Sequence, residues 1–165
     1  MFAFRCTQRL LNKLQVPAIA DPAAPTTRLG DWYGNVFFPG HHRLMMFVSE
    51  RSLLPVVMPL RERSQLLGNF RSRLAELLLQ LSVSEKAVSL ELAQMRDALF
   101  ARTASASLLG TMNDFMRSAR VHIEIDDGLD LLELELRLAD TPCGPRVYRY
   151  PNKLGRQLLS ELDIR

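Results

Sequence analysis

Two aspartates with unusual neighbours are the residues in this chain best placed to do chemistry. Asp31 stands in Leu29-Gly30-Asp31-Trp32-Tyr33-Gly34-Asn35, and Asp114 closes Leu109-Gly110-Thr111-Met112-Asn113-Asp114. In the first stretch Asp31 can serve as a hydrogen-bond acceptor or base, while Trp32 or Tyr33 offers a ring face to a ligand. The same residues have a structural use: Gly30 takes an unusual φ, Asp31 caps the turn and Trp32 fills the core. The structural use is the simpler reading. In the second stretch Asn113-Asp114 is expected near a helix start, where free N–H groups and the helix dipole hold an anion that Gly110 lets close. Ordinary capping calls for the same residue types, Asp114 repels an anion, and Arg117 stands at the spacing that pairs with Asp114 across a helix surface. Here too the structural reading leads.

Three further groups carry weaker signals. His41-His42 can bind metal or titrate near neutral pH, but adjacent histidines in a strand point to opposite faces and no third ligand stands nearby in sequence. A solvated hairpin tip is the expectation, and no metal site is. Tyr148 and Tyr150 lie among Arg146, Arg149, Lys153 and Arg156, a pattern that resembles a stacking-plus-phosphate surface for single strands. It lacks a repeated aromatic framework. Cys6 and Cys143 have no CxxC partner and no histidine at zinc-ligand spacing, so free thiols are expected. The chain contains no Walker loop, dinucleotide glycine fingerprint, His-Glu-x-x-His or Gly-x-Ser-x-Gly, and no cofactor is expected.

The elements that must position these residues follow from pattern. A length of 165 residues with 47% hydrophobic and 24% charged residues suits one globular core, so residues 1–165 are expected to form a single domain. The net charge of +3, from 21 basic and 18 acidic residues, is compatible with nucleic-acid binding without requiring it. The longest apolar candidate for a membrane span, Leu53 to Leu60, is short and broken by Pro55 and Pro59. Arg5 follows Met1-Phe2-Ala3-Phe4 at once, which is the wrong order for a signal peptide; a cytoplasmic protein without a membrane partner is expected.

Phe2 to Cys6 reads as a strand, with Thr7 capping a helix through Leu14. Prolines 17, 22 and 25 then mark a surface loop. Asp31 to Phe38 and Arg43 to Val48 flank Pro39-Gly40-His41-His42 as a hairpin, and the prolines confine the extended segment Leu53 to Met58 to an edge or a connection. Apolar spacings of three and four predict helices over Leu60 to Leu81, over Ser84 to Met95 and from Leu108 to Ile123. Ala98 to Thr103 reads as a strand. Leu132 to Leu138 alternates like a strand, but leucine and glutamate both favour helix, and helix is the choice. A last helix follows Tyr150-Pro151.

Arg5-Cys6-Thr7 with Leu10-Leu11, the Leu29–Asn35 stretch, the Leu109–Asp114 stretch, and Thr141-Pro142, Tyr148 and Pro151 together resemble a bacterial family known as a domain of unknown function. The resemblance runs over nearly the whole chain. Members of that family often carry an asparagine–arginine pair just before the Leu-Gly-Ser/Thr-Met-Asn-Asp motif, whereas this chain has Ala104-Ser105-Ala106-Ser107 there. The resemblance implies no activity.

The expected architecture is therefore α+β: a small, mostly antiparallel sheet of three to five strands with four to six helices, four or five of them on one face. The functional expectation is a non-catalytic binding or regulatory module with a cleft near Asp31 and Asn113. The alternatives are a nucleic-acid-associated protein using the basic C-terminal surface, and a small hydrolase or transferase with Asp31 or Asp114 as base.

Overall fold

The computed structural model describes residues 1–144 and 149–164. Strand β1 (Phe2–Cys6) leads through Thr7, whose Oγ1 accepts from the Leu10 N–H at 3.4 Å, into helix α1 (Gln8–Leu14). A loop brings the chain to β2 (Trp32–Phe37), which turns at Pro39-Gly40 into β3 (Leu44–Ser49) and then β4 (Pro55–Pro59). Gly40 supplies the positive φ of +58° that this turn needs. A 3-10 turn (Leu60–Gln65) precedes α2 (Leu66–Gln80) and α3 (Glu85–Ala93). Strand β5 (Ala98–Arg102), α4 (Ala106–Ile125), α5 (Leu131–Ala139) and α6 (Pro151–Ser160) complete the chain. The helix expected from Leu60 begins at Leu66, because Arg61 to Gln65 offers no apolar residue to extend the stripe.

The strands form one sheet in the order β4-β3-β2-β1-β5. It is mixed, which corrects the expectation of a mostly antiparallel sheet: β1 runs parallel to both β2 and β5, while β2–β3 and β3–β4 are antiparallel. The parallel pairs arise where a helix-bearing connection separates the strands, α1 and its loop before β2, and the helical run of α2 and α3 before β5. As its prolines require, β4 takes an edge.

Helices cover both faces, not one. On one face Phe70 of α2 is the hub, its ring 5.1 Å from Phe4, 4.9 Å from Trp32 and 5.5 Å from Phe47. On the other face Phe37, Met46, Val48 and Val57 pack against Met112, Phe115, Met116 and Ala119 of α4 and Leu134 and Leu138 of α5. Every residue of β3 is buried, so Leu44-Met45-Met46-Phe47-Val48 shows the unbroken apolar run of a strand covered on two sides.

Candidate functional site

The Asp31 stretch is wired into the sheet by side chains that stand in for backbone partners. Cys6 lies opposite Gly34 in the β1–β2 register, which sets Arg5-Cys6-Thr7 beside the strand that Asp31 precedes. Asp31 Oδ1 accepts the Ala3 N–H at 2.8 Å, and Oδ2 accepts Arg5 Nε at 2.9 Å. Thr7 Oγ1 donates to Asn35 Oδ1 at 2.7 Å, and the same oxygen accepts the Val36 N–H. Arg5 and Thr7 of one stretch thus meet Asp31 and Asn35 of the other.

Two glutamates close the network from outside. Glu91 of α3 accepts the N–H groups of Arg28 and Leu29, one on each carboxylate oxygen at 2.9 Å. Its desolvation raises the pKa, and these two backbone donors oppose the rise. Glu50 donates its N–H to the Asp31 carbonyl and accepts the Asp31 N–H on Oε2 at 3.2 Å. Gly30 has a φ of +78°, and a Cβ there would stand 2.8 Å from Glu50 Oε2. Position 30 thus favours glycine by its conformation, and a Cβ there would also push Glu50 and Arg51 aside.

Trp32 is wholly buried and packed edge-on to Phe70, with no hydrogen-bond partner for Nε1 among the described residues. Tyr33 is buried too; desolvation pushes its phenol above the usual range, and the Arg5 charge opposes that. Neither ring presents a face to a ligand in solution.

Asn113 and Asp114 lie elsewhere. Ser105 caps α4 by accepting the Leu108 N–H at 3.2 Å, so the helix starts at Ala106 and Met112-Asn113-Asp114 falls in its second and third turns. Amides there are already bonded within the helix, which corrects the expectation of a motif at a helix start. Asn113 and Asp114 are exposed, and Asp114 pairs with Arg117 at 3.3 Å.

A cleft lies beside the first turns of α4, and no residue of the Leu29–Asn35 stretch lines it. It has a volume of about 570 Å3 and is lined by Glu50, Arg51, Leu53, Ser107, Thr111, Cys143 and Arg149, among others. A second hollow of about 480 Å3 shares Ser107, Thr111, Cys143 and Gly144 and extends to Gly110 and Asp114. Asp31 lines neither, but Glu50 links it to the first and Asp114 borders the second. Cys143 bonds to Arg149 through both backbone groups at 2.8 Å, fixing that wall. Burial, with help from Asp114, raises the Cys143 thiol above its usual pKa, so it stays protonated at neutral pH.

The other expected groups are placed as follows. Arg149, Lys153 and Arg156 are exposed, but the Lys153 ammonium sits 4.6 Å from the Tyr150 ring centre. Arg146 and Tyr148 lie outside the described residues. His41 and His42 do not point apart: they follow the turn instead of lying in a strand, and their rings stack at 4.3 Å. Asp127, from the α4–α5 loop, meets His42 Nε2 at 2.8 Å. Glu50, Glu91 and Asp127 carried no sequence signal, because each partner lies 19 to 85 positions away.

The fold defines an α+β protein whose mixed sheet is sandwiched by helices, with a solvent-open cleft beside the first turns of α4. The family described as a domain of unknown function (DUF6933) matches residues 3–154, and the chain belongs to it. No curated protein and no solved structure matches the chain. Among the described residues no helix is long and apolar enough to cross a membrane.

Proposed function

We propose that the chain is a non-catalytic binding module that takes a small ligand bearing a carboxylate or phosphate in the cleft beside the first turns of α4. The observation that carries this reading is Gly110. It is exposed in the second turn of α4 and borders the hollow, and a Cβ there would meet nothing within 4 Å. A glycine inside a helix lowers stability, and Gly110, like Gly68 of α2, relieves no crowding in the protein itself; of the two only Gly110 lines the hollow with Ser107 and Thr111, which supports close approach by a ligand there. Arg51 and Arg149 offer charge to an anion, Ser107 and Thr111 offer hydroxyls, and Leu53 and Leu108 give the apolar wall typical of such sites.

The non-catalytic part rests on the carboxylates. Asp31 is buried with both oxygens engaged, Asp114 is paired with Arg117, and the Cys143 thiol is held protonated. The nucleic-acid alternative has less support, since Lys153 and Tyr150 occupy each other. A bacterial, cytoplasmic setting belongs to the same proposal, supported by two free cysteines that form no disulfide.

The test is a thermal-shift panel of small carboxylates and phosphate esters. A ligand raises Tm by mass action. At least one compound should raise the wild-type Tm and lose most of that effect in Arg149→Ala. A flat panel, or shifts that survive Arg149→Ala and Thr111→Leu alike, overturns the reading.

A further inference from the structure

Away from the cleft, the hairpin tip and the α4–α5 loop bring three metal-ligating side chains together. We propose that His41, His42 and Asp127 form a binding site for one zinc-class divalent transition-metal ion. The observation is geometric. One donor atom from each residue lies within 4.8 Å of the other two. His42 Nε2 is 2.8 Å from Asp127 Oδ1, and His41 Nε2 is 3.8 Å from Oδ2, so both imidazoles address one carboxylate.

Tetrahedral ligands held at zinc distances stand about 3.3 Å apart; the His42–Asp127 contact of 2.8 Å is shorter than that, and the three donors all lie within 4.8 Å of one another. Closing the set needs only small side-chain adjustments, which are cheap because His41 is 76% exposed and Asp127 64%. The Pro39-Gly40 turn makes the convergence possible. It takes both histidines out of strand geometry, and the His42 N–H donates to the Pro39 carbonyl at 3.0 Å.

Two imidazoles and a carboxylate are a borderline donor set that suits zinc, cobalt or nickel and discriminates against magnesium and calcium. Three protein ligands leave at least one position open. Arg43, Arg61 and Arg63 line the same groove as the histidines, and their charges oppose a dication. Asp127 offsets one charge at contact distance, while Arg43, Arg61 and Arg63 are exposed and screened by salt. A bound ion would tie the hairpin tip to the α4–α5 loop, replacing an imidazole–carboxylate hydrogen bond by three coordinate bonds.

The experiment titrates cobalt(II) into the metal-free full chain, reads the visible d–d spectrum, and then displaces the cobalt with zinc. One equivalent should bind with the intense bands of a four- or five-coordinate nitrogen–oxygen site. Asp127→Asn should weaken binding at least ~10-fold, and His42→Ala should abolish it, while Cys143→Ser changes nothing. His41→Ala serves as a second ligand variant, because that exposed side chain can be removed without risk to folding. Binding that is absent in wild type, that survives both histidine variants, or that shows a thiolate charge-transfer band lost in Cys143→Ser overturns the proposal. In the first case the three residues hold an imidazole–carboxylate contact only.

Discussion

Glu135 of α5 reaches the edge of the sheet and accepts the N–H of Val57, in β4, at 2.8 Å. A side chain thus occupies the outward-facing donor of an edge strand, a group that otherwise invites another chain to pair. The carboxyl is almost wholly buried, and that burial pushes its pKa to about 8, against the opposing pull of the Val57 N–H and the Arg73 charge. Folded Glu135 keeps its proton to higher pH than the unfolded chain does. Between about 4.5 and about 8 the native state therefore binds more protons, and stability falls as pH rises through that window. Glu135→Gln keeps an acceptor for Val57 and removes the charge. It should flatten the pH dependence and stabilise the protein near pH 7 by something on the order of 3 kcal/mol, with little effect near pH 4. Urea denaturation of both proteins from pH 4 to 9 measures this; parallel curves would show that Glu135 titrates normally.

The Asp31 network predicts a loss of stability where a catalytic role predicts none. Asp31→Ala strands the Ala3 N–H and takes a partner from Arg5. An unpartnered buried donor together with a broken, largely buried ion pair costs about 3 kcal/mol or more. Asp31→Asn keeps one acceptor and should fall between that variant and wild type. Chemical denaturation at pH 7 gives both values. If Asp31→Asn matched wild type in stability, the network would be dispensable and a chemical role for Asp31 would return.

The same network shows where sequence reading runs out. Helices α2, α3, α4 and α5 were legible because Phe70, Val88, Met112 and Leu134 sit in local stripes of period three to four, and β4 because prolines suit an edge. The β1–β2 and β1–β5 pairings were not, since nothing within five residues of Phe4 states whether Trp32 and Phe100 lie beside it in parallel. Nor was the second helical layer: β3 buried on both faces reads much like a strand buried on one when its residues are nearly all apolar. At the candidate site, Asp114 stood out by type, but Glu50 and Arg149 become neighbours of the cleft only through tertiary folding.

Gly110 separates stability from binding. Alanine at this exposed helical position removes glycine's backbone entropy without meeting any atom, so Gly110→Ala should stabilise the ligand-free protein by roughly 0.5–1 kcal/mol. A methyl group projecting into the hollow should at the same time weaken whichever anionic ligand the thermal-shift panel yields. Denaturation of the free protein and titration of the ligand read the two effects independently. A destabilising Gly110→Ala would mean that the glycine serves the fold.

The two thiols offer a check on the cleft wall. Cys6 is buried and its pKa is pushed to about 12 by desolvation, while Cys143 is half-buried beside the cleft with a raised pKa. The thiolate is the reacting form. In the native protein, iodoacetamide at neutral pH should therefore modify Cys143 more slowly than a free cysteine, with a rate that keeps climbing above the usual thiol range. Cys6 should be untouched until denaturant is added. A ligand seated in the cleft should slow Cys143 further and leave Cys6 unaffected. Rapid alkylation of Cys143 at pH 7 would reveal a thiolate stabilised in the cleft, and with it a nucleophile that the binding-module reading has no place for.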